Sequence, residues 1–247
     1  MFWCEGVVIK TRPLGEADRI VVLYTKERGK VGTAAKGSRR PKNRLAAVVQ
    51  PFTRGNYFLS DPASGLKSLS QGNIIDSNQN LRDDLLKMAA CNYFLELIDV
   101  SVETEDPDQE LYKLILMGLK LIDTVDDLDL ALRYIEYRLL YTLGWGLQLE
   151  NCVGCGKELN EKLLFSAIDG GVKCEGCLRG DEIYLSKKAR AILLSFNRLY
   201  PRTLPKLKLG EEDHQELEKI MRLAWDARME KSPKTWLFWK QVSALEN

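Results

Sequence analysis

Two periods of hydrophobic and polar residues divide the chain. Up to residue 76 the apolar positions fall in short runs rich in β-branched side chains. Gly6-Val7-Val8-Ile9-Lys10 and Arg19-Ile20-Val21-Val22-Leu23-Tyr24-Thr25 are the clearest of these. Runs of this length and composition, bounded by turn residues, predict strands. Glu27-Arg28-Gly29-Lys30 is a turn of the kind that joins antiparallel neighbours. Further strands are predicted over 30–36, 55–59 and 66–75, with one or two helical turns at Arg44-Leu45-Ala46-Ala47-Val48-Val49. Five short strands with a short helix between the third and fourth is the order of an oligonucleotide-binding (OB) barrel. Small Src-homology-like barrels share most of this pattern.

From Leu81 the spacing becomes helical. Leu85, Met88, Ala89, Phe94, Leu97 and Ile98 predict one helix, with Asn80 available to cap it. A second follows from Leu111, Leu114, Ile115, Leu119 and Ile122, and a third from Leu132, Ile135, Leu139 and Leu143. Tyr134, Tyr137 and Tyr141 form a stripe beside the third. Acidic residues fill the connections, and acids there favour the helix N-terminus they precede. After a cysteine-rich insert, Ala189, Ile192, Leu193 and Phe196 resume the pattern behind Ser186 as a cap. Leu217, Ile220, Met221 and Ala224 predict the last amphipathic helix. The expected fold class is α+β: a five-stranded OB-type barrel over 1–80, then a helical domain over 81–247 with an insert at 150–180.

Composition excludes a disordered or fibrous chain, since 45% of the residues are hydrophobic and 29% charged. In the helical part the longest uncharged stretch, Leu139 to Leu149, is far short of the ~20 apolar residues a bilayer span needs. The N-terminus lacks the pattern of a signal peptide. A cytoplasmic protein without a membrane partner is expected. The net charge of +1 conceals a split: residues 1–80 carry 13 Lys and Arg against 6 Asp and Glu, while 81–130 carry 4 against 13. Two readings follow. Either a polyanion-binding module is attached to a scaffold, or surfaces of opposite sign attract each other inside one molecule.

Four of the six cysteines form Cys152-x2-Cys155 and Cys174-x2-Cys177, with 18 residues between the pairs. This is the spacing of a four-thiolate zinc site, and a shell closed by four sulfurs leaves no position for a substrate. The expected cofactor is a structural Zn2+. Gly154, Gly156 and Gly176 would supply backbone freedom to the two knuckles. Two disulfides, a redox dithiol or plain buried cysteines are the alternatives, and a cytoplasmic chain disfavours disulfides. Cys4 and Cys91 read as packing residues.

Signals for catalysis are missing. The single histidine, His214, lies at a predicted helix start and is expected to face solvent, which leaves a Ser–His or Cys–His pair little to build on. Gly32-Thr33-Ala34-Ala35-Lys36-Gly37-Ser38 has the glycine spacing of a phosphate loop but no lysine after the second glycine. The chain reads as a non-enzyme.

Lys36-Gly37-Ser38-Arg39-Arg40-Pro41-Lys42-Asn43-Arg44 holds five cations in nine residues and no acid. Glycine and proline keep it from regular structure, so it predicts an exposed loop able to lay Lys36, Arg39, Arg40, Lys42 and Arg44 along a phosphate backbone. Arg12, Arg19, Lys30 and Arg54 would extend the patch over the barrel. Trp3, Tyr24, Tyr57 and Phe58 are candidate stacking faces for bases, although barrel core is the favoured role for most of them. The aromatic cluster Thr235-Trp236-Leu237-Phe238-Trp239-Lys240 has the helical spacing that more often marks core, with a hydrophobic surface for a partner's apolar peptide as the functional reading, and it stays unassigned between the two.

The stretch from Gly6 to Ile20, Gly6-Val7-Val8-Ile9-Lys10-Thr11-Arg12-Pro13-Leu14-Gly15-Glu16-Ala17-Asp18-Arg19-Ile20, resembles the opening of the RecO family of bacterial DNA-repair proteins. The basic segment through Leu45, Gln50-Pro51-Phe52, and Leu143-Gly144-Trp145 leading into Cys152-x2-Cys155-Gly156 are similar to the same family. The resemblance implies an N-terminal OB domain and a helical C-terminal domain carrying the zinc site. It also implies a recombination mediator that binds single- and double-stranded DNA and anneals complementary strands. With RecR, such a protein helps load RecA onto gaps coated by single-strand-binding protein. Two readings from other classes stand beside it: a zinc-containing OB-fold RNA-binding factor, and a protein–protein adaptor whose basic barrel docks acidic helices.

Overall fold

The computed structural model describes residues 1–61, 65–159 and 162–245. The chain forms two compact units, residues 1–123 together with 233–247, and residues 124–232.

In the first unit five strands close into a barrel: β1 (Phe2–Leu14), β2 (Asp18–Thr25), β3 (Gly29–Ala35), β4 (Arg54–Ser60) and β5 (Lys67–Asp76). The strand order is β1-β2-β3-β5-β4, with β1 pairing β4 to complete the ring and β3 meeting β5 in parallel at Thr33–Lys67 and Ala34–Ser68. Alternation along the strands turns Cys4, Val8, Val21, Leu23, Val31, Tyr57, Leu59 and Leu69 into the interior. The short helix α1 (Leu45–Val48) adds Leu45 and Val48 to that core. Tyr57 is fully enclosed, and its hydroxyl donates to the Thr53 carbonyl at 3.0 Å. Tyr24 is enclosed as well, so both tyrosines are core. Trp3 differs: it is 49% exposed and lies against the half-buried Phe58, ring centroids 5.2 Å apart.

After the barrel come α2 (Gln79–Asp83), α3 (Leu85–Ser101) and α4 (Gln109–Thr124). Asn80 lies inside α2 and does not cap the long helix. The chain leaves helical geometry at Asp84, whose carboxylate accepts from the Lys87 N–H at 3.0 Å. An aspartate in extended conformation ahead of a helix satisfies a donor that a residue inside a helical turn cannot reach. Asp108 serves α4 in the same way, accepting from the Glu110 and Leu111 amides. The last helix, α8 (Thr235–Ser243), packs on α3: Trp236 meets Tyr93 at 5.2 Å and Glu96 accepts from the Thr235 N–H at 2.8 Å. Trp236, Trp239 and Val242 are buried, while Leu237 and Phe238 stay exposed.

In the second unit α5 (Leu128–Thr142), α6 (Lys187–Ser195) and α7 (Glu211–Asp226) share a core built on Leu132, Ile135, Leu139, Leu193, Phe196 and Ile220. Tyr134 and Tyr137 set their rings edge-on to Phe196 at 5.4 and 5.7 Å, whereas Tyr141 leaves the stripe for solvent. Asp127 caps α5, and Ser186 caps α6 by accepting from the Ala189 N–H. Between α5 and α6 lies a three-stranded sheet that the hydrophobic pattern does not announce. Its strands are β6 (Leu164–Ser166), β7 (Gly171–Lys173) and β8 (Ile183–Tyr184), in the order β7-β6-β8. Strands of two or three residues are too short to display a period of two. No helix among the described residues is long and apolar enough to cross a membrane.

Candidate nucleic-acid face and metal centre

The segment from Lys36 to Arg44 is an ordered loop between β3 and α1, held by its backbone. Asp18 accepts from the Gly37 N–H at 2.7 Å, the Ala17 carbonyl accepts from the Arg39 N–H at 2.9 Å, and the Gly15 carbonyl accepts from the Arg39 guanidinium at 2.8 Å. Ser38 turns inward and donates to the Ala35 carbonyl, while Asn43 accepts from the Leu45 N–H. The loop is therefore docked on the β1–β2 turn by its backbone amides together with the Arg39 guanidinium. Lys36, Arg39, Arg40, Lys42 and Arg44 are left exposed, and none of the five has an acidic partner among the described residues. The nearby acids are Asp18, committed to a backbone amide, and the exposed Glu16 in the turn.

Strand register brings two more cations to this end. Arg12 pairs with Ile20 and is exposed; Arg19 pairs with Pro13 and Ala35, next to Lys36. The Arg19 Nε–H is buried and finds no hydrogen-bond partner among the described residues. Lys30 and Arg54 are committed elsewhere. Lys30 lies 3.7 Å from the Asp99 carboxylate, donates to the Asp99 carbonyl at 2.6 Å, and is largely covered. Arg54 donates to Glu5 through Nε at 2.7 Å, and Glu5 also accepts from the Tyr112 hydroxyl at 3.0 Å. Burial opposes ionisation of Glu5, but the hydrogen bonds from Arg54 and Tyr112 outweigh it and hold the carboxyl below its ordinary range. These two cations do not extend the loop's patch. Within the first unit, then, Lys10 and Lys30 pair with Asp99, as the reading of mutually attracting surfaces expects, while the five loop cations form no ion pair among the described residues.

The sulfurs of Cys152, Cys155, Cys174 and Cys177 all lie within 4.8 Å of one another, and Cys155 and Cys174 approach to 3.7 Å. A tetrahedron with metal–sulfur bonds of about 2.3 Å has edges of about 3.8 Å, so the four thiols could bind one metal ion. The first knuckle turns at Gly156, whose φ of +73° an L-side chain rarely adopts, and at Gly154, packed against the Cys177 side chain. Gly176 needs no such freedom: it sits in a 3-10 turn with a negative φ and open space where a Cβ would go. Burial opposes ionisation of Cys152, but the N–H groups of Cys174, Cys155 and Gly154 outweigh it and bring the thiol down to about 6. Hydrogen bonding with the other three sulfurs pushes Cys177 up to about 12. A cluster in which one thiol ionises readily while another resists is a ligand set that a cation would relieve. The two remaining cysteines are buried, and burial pushes Cys4 up to about 12.

His214 is not at the open surface. It is half-buried at the start of α7, with Nε2 3.3 Å from Asp127, because the α5 cap and the α7 start meet there. The sequence reading also missed Asp18, the anchor of the basic loop. Its only signal was an acid placed where the first hairpin turns, which does not reveal what the carboxylate holds.

The sequence matches the family described as Recombination protein O N terminal over residues 1–78 and Recombination protein O C terminal over residues 82–237. DNA repair protein RecO of Bacillus subtilis (strain 168) is 34% identical over 225 residues, 90% of this chain and 88% of that protein. The DNA repair protein RecO of Bacillus pumilus is 33% identical over 224 residues, 90% of this chain and 87% of the relative. That of Listeria monocytogenes serovar 1/2a is 32% identical over 225 residues, covering 90% and 88%.

Proposed function

The chain belongs to the RecO family of DNA repair proteins, and on that premise we propose that it is a recombination mediator that grips DNA with one end of its barrel. Lys36, Arg39, Arg40, Lys42 and Arg44, with Arg12 and Arg19 beside them, neutralise phosphates of single- and double-stranded DNA. The observation that carries this reading is the docked loop, whose five cations lack acidic partners among the described residues while other cations of the same unit are paired. Phosphate contacts position a strand without reading its bases, which suits the annealing of any complementary pair. In this reading the protein acts with RecR to promote RecA loading on gaps coated by single-strand-binding protein. Zinc is the metal best matched to four thiolates in a closed shell. Held by Cys152, Cys155, Cys174 and Cys177, it would brace the insert and take no part in strand binding.

Replacing Arg39, Arg40, Lys42 and Arg44 together by alanine is expected to weaken binding to single-stranded DNA and flatten its salt dependence. Loss of four contacts makes the slope of log K against log salt less negative by about 3. Fluorescence anisotropy across a salt series reads this, and an unchanged slope overturns the loop's role. Binding equal DNA and RNA oligomers alike would favour the RNA-binding alternative, and indifference to both would favour the adaptor.

A further inference from the structure

A second acid-free stretch runs from Ile183 to Gly210, with seven Lys and Arg in 28 residues and no Asp or Glu. It lies wholly in the second compact unit, over α6 and the 3-10 turn Pro201–Lys206. Two of its cations are used internally: Lys188 pairs with Asp213 at 2.6 Å, and Arg190 donates to the Leu149 and Glu150 carbonyls. Arg198, Arg202, Lys206 and Lys208 are exposed and form no ion pair among the described residues.

The stretch is fixed to α5. The Tyr134 hydroxyl donates to the Leu199 carbonyl at 3.0 Å and Asn197 donates to the Tyr137 hydroxyl at 3.0 Å, while within α5 Arg138 donates to the Tyr134 hydroxyl at 3.3 Å. Arg138, Tyr141 and Arg198 thereby line one open pocket of about 750 Å3, on whose wall Glu150 is the single acid. Two exposed aromatic rings lie beside these cations, Tyr141 on the pocket wall with Arg138 and Arg198, and Tyr200 next to Arg202. Tyr141 is 64% and Tyr200 68% exposed, and the Arg202 guanidinium lies 5.6 Å from the Tyr200 ring centroid. Large rings left in water beside unpaired guanidinium groups are the pairing that single-stranded nucleic acid uses, phosphate on cation and base on ring. An acidic peptide would account for the cations alone.

We propose that this face of the second unit is a further strand-binding surface, taking the backbone of single-stranded DNA on Arg138, Arg198, Arg202 and Lys206 with bases against Tyr141 and Tyr200. The proposal rests on the DNA-binding function above and deepens it, because a protein with two such surfaces holds both strands it anneals.

The test uses the full chain and oligothymidine. Stoichiometric titration at low salt is expected to give two strands per chain, and one for the variant with Arg198→Ala, Arg202→Ala and Lys206→Ala. The same variant is expected to anneal complementary strands at least about tenfold more slowly, with its first-strand affinity changed less than about twofold. Ultraviolet cross-linking of the wild-type protein should attach oligothymidine to the peptide carrying Tyr200, and Tyr200→Ala should lose that adduct with the fold intact. Unchanged stoichiometry and annealing in the variant, or no adduct at Tyr200, overturns the second surface while leaving the barrel loop standing. A variant that loses polyglutamate binding but keeps its oligothymidine stoichiometry overturns it in favour of an acidic peptide. A wild-type chain that binds no oligothymidine at all refutes the function itself.

Discussion

Asp18 separates two ways of thinking about charge near the proposed phosphate site. Counted as a charge, it repels DNA, and its removal should tighten binding. Its carboxylate, however, accepts from the Gly37 N–H and helps to hold the basic loop on the β1–β2 turn. Losing a charge-assisted hydrogen bond to a backbone amide costs more than a distant repulsion screened by salt. Asp18→Ala is therefore expected to weaken single-strand binding several-fold, with the salt slope unchanged since no cation is removed. Asp18→Asn keeps an acceptor oxygen and should restore most of the affinity; tighter binding by Asp18→Ala would refute the anchoring role. Gly29 is constrained in another way. It has a φ of +62°, and a Cβ there would stand 2.1 Å from the Asp106 carbonyl oxygen, in the same unit. Backbone cannot yield as the tip of a side chain can, so Gly29→Ala should cost more than the ~1 kcal/mol of the dihedral alone. Urea denaturation would measure the loss.

At the level of elements, the small sheet of the insert hangs on one lysine. Lys173 is almost fully enclosed, forms an ion pair with Asp169, and donates to Glu182 at 2.9 Å. The Lys173 ammonium holds the Glu182 carboxyl down to about 2, with the Arg179 and Gly180 amides assisting. A carboxyl lowered on folding contributes stability that is complete above its ordinary value and fades as pH falls toward 2. Acid titration followed by proteolysis of the insert should show it loosening below about pH 4. Lys173→Met should shrink that pH dependence to what the Arg179 and Gly180 amides supply and loosen the insert at neutral pH. Nothing in the sequence pointed to this network, because Lys173 ends a three-residue strand while Asp169 and Glu182 lie in the connections before β7 and β8, and none of the three carries a periodic signal. The five barrel strands were legible from β-branched runs, and the long helices from apolar spacing. The α3 start was misplaced from Asp84 to Asn80, since both are good caps and only the backbone break at Asp84 chooses between them. Asp84→Ala is expected to cost ~1 kcal/mol in thermal or urea unfolding, as the loss of a working cap does. The five-cation loop and the four thiols were also legible, one as a dense local run and the other as fixed spacing. The commitment of Lys30 to Asp99 and Arg54 to Glu5 was not, because each partner is distant in sequence.

For the whole molecule, the proposed separation of phosphate binding from metal binding makes a chelator informative. The basic loop belongs to the first compact unit and the four cysteines to the second. The insert around those cysteines contains three very short strands and few buried apolar residues, so bonds to a metal held by the four thiols would supply much of what keeps it folded. Stripping the metal should lower the melting temperature of the second unit, expose the 150–180 segment to protease and leave the first unit's transition in place. A protein whose units answer separately no longer melts in one step, and calorimetry should resolve two transitions. First-strand binding should keep its salt slope, since none of the loop's cations depends on the thiols. Cys174→Ser should reproduce the chelated state and fail to regain the metal on dialysis against Zn2+, by metal analysis. If chelation instead abolished the salt-dependent grip on the first strand, the metal would be a participant in strand binding and the assignment of that task to the barrel loop would fail.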